Sequence, residues 1–144
     1  MGEITSTTDK SEILEFFQDR LDNLPQKGSD TVLEITNVAA AVEEVLSPVR
    51  TGQNRDETKV EVDGLEGVAW PDAPQAIWII GGTQPHEIRA VNVQALYWPG
   101  AMHPVKSVQH PGTAPNDYVA DARDQMDPGV DPALDELGSW MVDE

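Results

Sequence analysis

The chain has 144 residues, no cysteine and a formal net charge of -17, from 26 carboxylates against nine Lys and Arg residues. Its length fits one domain that buries roughly two-thirds of the surface its unfolded chain exposes. The lack of cysteine excludes disulfides, thiolate metal sites and cysteine nucleophiles.

The carboxylates are spread from Glu3 to Glu144. Such a surface repels itself unless salt screens it, so the pattern favours a halophilic protein over an acidic interaction protein or a nucleic-acid mimic, which concentrate their carboxylates. The polar start, Met1 to Lys10, and the absence of any run of about 20 apolar residues predict a protein made and used in solution, without a membrane partner.

Two amphipathic helices are predicted at the start of the chain. Apolar residues recur at helical spacing from Ser11 to Leu24, and again from Ser29 to Leu46. Pro25 and Gly28 are expected to separate the two helices, because proline and glycine disfavour a helix interior.

Short strands are expected next. The alternation of residues 58–63, ended by Asp63-Gly64, predicts a half-buried strand with a hairpin partner at 65–70. The apolar stretch 75–80 is too short to be assigned to helix or strand from its period. Three further short strands are predicted at 86–90, 95–98 and 105–109.

A last helix is predicted from Asn116 to Met126. Residues 127–144 are interpreted as an acidic tail that folds on a neighbouring protein, packs on its own core or frays as a terminus. The predicted fold is therefore α+β. Over residues 1–126, two N-terminal helices and a C-terminal helix pack on a small, mostly antiparallel β-sheet.

Few residues are arranged for chemistry. His86, His103 and His110 lack the spacing of a zinc site, and Ser107 with His110 lacks a nucleophile elbow. Gly81-Gly82-Thr83 lacks the Lys-Ser/Thr of a phosphate loop and is expected to form a tight turn. We therefore expect no catalytic, metal or cofactor site.

Positive charge is also scarce. The cations are too few and scattered for specific nucleic-acid recognition. Arg50 and Arg89 are candidates for ion pairs across a subunit boundary, although an ordinary surface ion pair is the simpler interpretation of each.

Three ordered blocks resemble the neck, or tail-completion, family of long-tailed, siphovirus-type phages. They are 47–52, 80–89 and 106–113, and their order and spacing are similar to the family's over residues 33–126. Their motif residues are implied to be structural or interface residues: Pro48, Arg50, Thr51 and Gly52 in the first block, Gly82, Thr83, Pro85, His86, Ile88 and Arg89 in the second, and His110, Pro111, Gly112 and Thr113 in the third.

The resemblance implies a structural virion protein, not an enzyme, that forms a ring at the head-tail junction after assembly in the host cytoplasm. Its implied partners are further copies of itself in a hexameric ring, head-completion or connector proteins, tail-tube or tail-terminator proteins, and viral DNA passing through the bore. Together with the acidity, it implies a tailed virus of a halophilic archaeon. A tail terminator is the alternative at the same junction, and a halophilic enzyme or small-molecule-binding domain is the alternative from another class.

Overall fold

A computed structural model of the chain describes residues 10–48 and 53–142. Within these ranges there are five helices and four strands. The helices are α1 (Lys10–Leu46), α2 (Gln53–Asp56), α3 (Ala76–Gly81), α4 (Tyr118–Gln125) and α5 (Asp127–Val142), and the strands are β1 (Thr58–Asp63), β2 (Glu66–Pro71), β3 (His86–Arg89) and β4 (Ser107–His110). The predicted α+β class is confirmed, with the strands in two separate antiparallel pairs, β1–β2 and β3–β4.

The prediction of two helices separated at Pro25 and Gly28 is wrong, because α1 is one helix of 37 residues. Pro25 lacks an N–H group, which costs about 3 kcal/mol in a helix interior. Packing across the proline opposes this cost. The Trp140 ring of α5 lies 4.9 Å from the Arg20 guanidinium carbon and 5.8 Å from Lys27 Nζ, so it contacts α1 on both sides of Pro25.

The predicted hairpin at 58–70 is confirmed as β1 and β2, whose ladder pairs Thr58 with Pro71 and Asp63 with Glu66. The hairpin packs on α1 at positions without side chains. Leu65 lies against buried Gly28, and the Cβ missing from Gly67 would overlap the Thr36 hydroxyl. Gly28 on α1 and Gly67 on β2 each allow the hairpin and the helix to approach closely, because neither residue has a Cβ.

The stretch 75–80, which the sequence left unassigned, lies mostly in α3, and the first and third of the next three predicted strands are confirmed as β3 and β4. The predicted strand at 95–98 does not form. Only Leu96 pairs there, exchanging hydrogen bonds of 2.7 and 3.0 Å with Val105. The ladder cannot extend far, because Pro99 and Pro104 have no N–H group to donate and the chain reverses at Gly100, whose φ is +96°.

The predicted helix after Asn116 is confirmed as α4, with the Asp117 side chain accepting the Ala120 N–H at 3.1 Å. Residues 127–142 are not an extended tail: they form α5, which packs on α1. Ala133 of α5 is buried against this interface, and Pro128 lies in the first turn, where a missing N–H costs little. Packing on its own core is thus the alternative that describes this segment.

The centre of the fold is α1, against which β1, β2, α4 and α5 all pack, whereas β3 and β4 contact mainly each other. The apolar core is thin and consists mostly of small side chains. Its fully buried members among the described residues are Ala40, Ala73, Ala76, Ala122, Ala133 and Tyr118. No helix in the described ranges combines the length and apolar character that crossing a membrane requires.

Candidate functional site

The second and third motif blocks, distant in sequence, lie side by side in the structure. Thr83 and Thr113 exchange backbone hydrogen bonds of 2.9 and 3.0 Å, and His86 is the cross-strand partner of His110. Antiparallel pairing of β3 with β4 therefore brings together ten of the fourteen residues that the sequence proposed. We call residues 82–113 the arm, and α1 together with the elements packed around it (α2, β1, β2, α4 and α5) the body.

Two glycines close the base of the arm. Gly82 has φ of +68° and Gly112 has φ of +86°, a region that side chains with a Cβ rarely adopt. A Cβ on Gly82 would lie 2.5 Å from the Thr113 carbonyl oxygen, and one on Gly112 would overlap the Thr83 carbonyl. Each block thus needs its glycine so that the other block can approach.

The two paired histidines hold turns in the backbone. The rings of His86 and His110 lie 5.1 Å apart, tilted by 35°. His86 Nδ1 donates to the Gln84 carbonyl oxygen at 2.8 Å, and His110 Nδ1 accepts the Gly112 N–H at 3.1 Å. The Nδ1 atoms of the two rings therefore act in opposite ways, as a donor in His86 and as an acceptor in His110. Within the described ranges, no group of three or more His, Asp or Glu side chains is placed to hold a metal ion.

Arg89 forms its ion pair within its own strand. Its Nη2 lies 2.6 Å from Glu87 Oε2. Hydrogen bonds from Arg89 and then from Ser107 lower the pKa of Glu87. This is an ordinary surface ion pair, and a contact of Arg89 across a subunit boundary stays a prediction. Arg50, Thr51 and Gly52 of the first block lie outside the described residues, and Pro48 is half-buried.

The arm is largely exposed. All four residues of β3 are exposed, and β4 alternates between exposed and half-buried. Several apolar side chains near its tip face solvent, with exposed fractions of 84% at Val91 and 96% at Met102. The others are Val93, Tyr97 and Trp98. A two-stranded ribbon is marginally stable in water unless something packs against it.

A second cluster is polar and buried in the body. Asn54 Nδ2 donates to Ser47 Oγ at 2.7 Å and to the Tyr118 hydroxyl at 2.6 Å, and Glu43 is 3% exposed beside them. Glu43 Oε1 and Asn54 Oδ1 have no hydrogen-bond partner among the described residues. Burial, and secondarily the neighbouring Glu44 carboxylate, raise the pKa of Glu43. Burial likewise raises the pKa of Tyr118, although the hydrogen bond from Asn54 opposes that shift.

This cluster ties three helices together. Glu43 lies on α1, Asn54 on α2 and Tyr118 on α4, and Ser47 opens the first motif block. Sequence reasoning missed the cluster because Asn54 and Tyr118 are 64 residues apart and no local pattern relates them. Its side chains are enclosed, so the cluster is suited to fixing the helices and not to meeting a substrate.

No protein-family model, curated protein or solved structure matches the chain. The motif blocks and the geometry of the arm are therefore the features that bear on function. The cleft between α1 and α5, near Lys27 and Trp140, encloses about 60 Å³, whereas small-molecule sites usually measure about 300–1,000 Å³. A second depression of about 420 Å³ lies on the α1 surface, and it is open to solvent where a small-molecule site would enclose its ligand. It is lined by Asp30, Leu33, Glu34, Asn37, Val38 and Ala41.

Proposed function

We propose that this chain is a structural protein of a tailed-virus particle, a ring subunit at the neck that joins or completes the tail and lets DNA pass. The observation that carries the proposal is the pairing of two motif blocks. Residues 80–89 and 106–113 resemble parts of one phage family, and they are cross-strand partners in the arm. Motif blocks that belong to one structural unit are expected to lie side by side, as these two do.

The geometry of the motif residues supports a structural role for them. Gly82 and Gly112 admit the opposite strand, and His86 and His110 hold turns through their backbone partners. These contacts account for the residue types in the blocks without chemistry at an active site. The proposal accordingly assigns the chain no catalytic role.

The charge suits a DNA conduit in a high-salt host. A bore lined by carboxylates repels the phosphate backbone, and no counterion release rewards binding, so DNA passes without being held. A net charge of -17 also suits a surface screened by molar salt. Both points extend the proposal to a virus of a halophilic archaeon.

Localisation in purified particles tests the proposal. Antibodies raised against the recombinant chain should label the head-tail junction in immuno-electron microscopy, and deletion of its gene should leave unjoined heads and tails. Complementation with the wild-type gene is the control. Particles that lack the chain would overturn the proposal. Deletion that gave tails of variable length would assign the chain to tail termination instead, because nothing would then stop tail polymerisation.

A further inference from the structure

The middle of the chain contains almost no carboxylates. The 44 residues from 73 to 116 contain one carboxylate, Glu87, and two cations, Arg89 and Lys106, so their formal charge is +1. The other 100 residues hold the remaining 25 carboxylates and seven cations, a formal charge of -18. Arg89 neutralises Glu87 within the strand. The arm is therefore a carboxylate-poor surface on a highly acidic protein.

The exposed side chains of the arm match the centre of a protein interface. Interface centres are depleted in charge and enriched in aromatic residues and methionine. Near its tip the arm exposes Tyr97, Trp98 and Met102 together with Val91 and Val93. Among the described residues, the outer edges of its two strands have no strand partner, so another chain can cover them.

A second exposed apolar surface lies on the first half of α1. Ile13, Leu14, Phe17, Leu21 and Leu24 fall within about 100° of one another around the helix, and all five are exposed. Residues 10–24 hold four carboxylates and two cations, so this segment has a formal charge of -2, opposite in sign to the arm.

We infer that the arm of one copy docks on this α1 face of a second copy of the same chain. Two acidic bodies repel where carboxylates face each other, so contact costs least at the carboxylate-poor arm, and the opposite charges of the two segments favour their pairing. The contact is heterologous, because each copy offers a different surface to each neighbour. Such contacts form a ring where the rotation between neighbours closes, and an open filament where it does not. The inference deepens the proposed function. The contact between two copies rests on the structure, whereas its closure into a ring rests on the proposed function.

Charge-introducing variants test the contact in the full chain at molar NaCl. Wild-type protein should be oligomeric by mass photometry or sedimentation velocity. Met102→Glu in the arm and Leu14→Glu on α1 should each reduce the mass to that of a 15.7 kDa monomer, with unchanged circular dichroism. Val45→Glu is the matched control, since Val45 is 81% exposed and lies in neither surface. It should leave the oligomer intact.

Mixing the two variants identifies the pairing. Met102→Glu retains a working α1 face and Leu14→Glu retains a working arm, so an equimolar mixture should form one-to-one dimers and nothing larger. Arm-to-arm pairing predicts instead that Leu14→Glu dimerises alone, which would overturn the inference.

Cysteine cross-linking adds a direct proximity test, because the chain has no native cysteine. Mixed Met102→Cys and Leu14→Cys chains should form a disulfide-linked dimer on mild oxidation, whereas Met102→Cys mixed with Val45→Cys should not form the corresponding mixed dimer. A wild-type chain that stays monomeric at micromolar concentration would overturn the inference, even if labelling of the neck supported the proposed function. If the purified chain formed these oligomers but antibodies found none of it in virus particles, the inference would stand and the proposed function would be overturned.

Discussion

The body and the arm are stabilised in opposite ways. The body buries small apolar side chains and a polar cluster around α1, and Tyr118 is its one large, fully buried side chain among the described residues. The arm is held by cross-strand backbone hydrogen bonds and by the positive-φ glycines at its base, Gly82 and Gly112, while its large apolar side chains face solvent. A fold that leaves its larger apolar residues outside is suited to completing its packing with a neighbour.

The largest expected effect compares one tyrosine in each region. Tyr118→Ala should destabilise the chain by roughly 3–5 kcal/mol, because it leaves a cavity and removes the hydroxyl that accepts from Asn54. Tyr97→Ala should change monomer stability by less than about 0.5 kcal/mol, since Tyr97 is 68% exposed. Denaturant unfolding in the Met102→Glu background, followed by circular dichroism, measures both. Similar losses for the two variants would contradict the distinction between body and arm.

A substitution at the base of the arm should unfold the arm and spare the body. Gly82→Val forces a branched side chain into positive φ and against the Thr113 carbonyl, at a cost of roughly 3 kcal/mol. Amide hydrogen exchange should accelerate at Thr83 and Thr113 while α1 stays protected, and assembly should be lost.

The adjacent glycine supplies the control for this substitution. Gly81 has no positive φ and nothing within 4 Å of its missing Cβ, so Gly81→Val should preserve both protection and assembly. Equal protection of the arm in Gly82→Val and Gly81→Val would show that the turn tolerates a side chain.

Salt should affect the two regions unequally. Lowering NaCl from molar to about 0.1 M lengthens the Debye length from about 3 to about 10 Å. The acidic body should then lose about 1–2 kcal/mol, seen as a fall of roughly 3–8 °C in melting temperature. Amide exchange should rise first in α1. Near pH 4, where many carboxylates are protonated, the salt dependence should shrink. A melting temperature that is flat or falls with added NaCl would count against a halophilic surface.

A smaller effect concerns the buried carboxylate of the body. Glu43→Gln should stabilise the chain by roughly 1 kcal/mol at pH 7, because it removes a charge that burial disfavours. Since the folded state raises the pKa of Glu43, wild-type protein gains stability as the pH falls through that pKa toward 4.5, and the advantage of Gln fades. Melts from pH 4 to 7 measure this, with Glu34→Gln, at an exposed position of α1 away from the polar cluster, as the control. An advantage independent of pH would exclude the titration of Glu43 as its cause.

Local signals predicted the local structure well. Alternation ended by Asp63-Gly64 predicted the first hairpin, and the start of α4 is capped by Asp117, next to the predicted boundary. Continuity of α1 through Pro25 could not be predicted, because the ring that packs across it belongs to Trp140, at the other end of the chain. No local sequence pattern predicts a contact between residues so far apart in the chain.

Part of the candidate site could be predicted from the sequence and part could not. The two motif blocks were recognised as similar to one family, but their pairing across the arm depends on a 17-residue connection, 90–106, whose path the sequence does not specify. The carboxylate-poor stretch could be found from the sequence, but the high total negative charge drew attention away from it. A running count of Asp and Glu shows the gap from 73 to 116 directly.

The smallest expected effect separates a structural from a chemical role for the paired histidines. His86→Gln and His110→Gln should each cost less than about 1 kcal/mol, because the Gln amide can donate to the Gln84 carbonyl at one position and its oxygen can accept the Gly112 N–H at the other. Gln cannot reproduce the proton transfer or firm zinc ligation of an imidazole. Infectivity, head-tail joining by electron microscopy and metal analysis of the purified protein measure the outcome. The variants should join heads to tails and hold no stoichiometric zinc. If well-folded His86→Gln or His110→Gln abolished function while Gly82→Val particles joined normally, the arm would carry chemistry and not a contact surface.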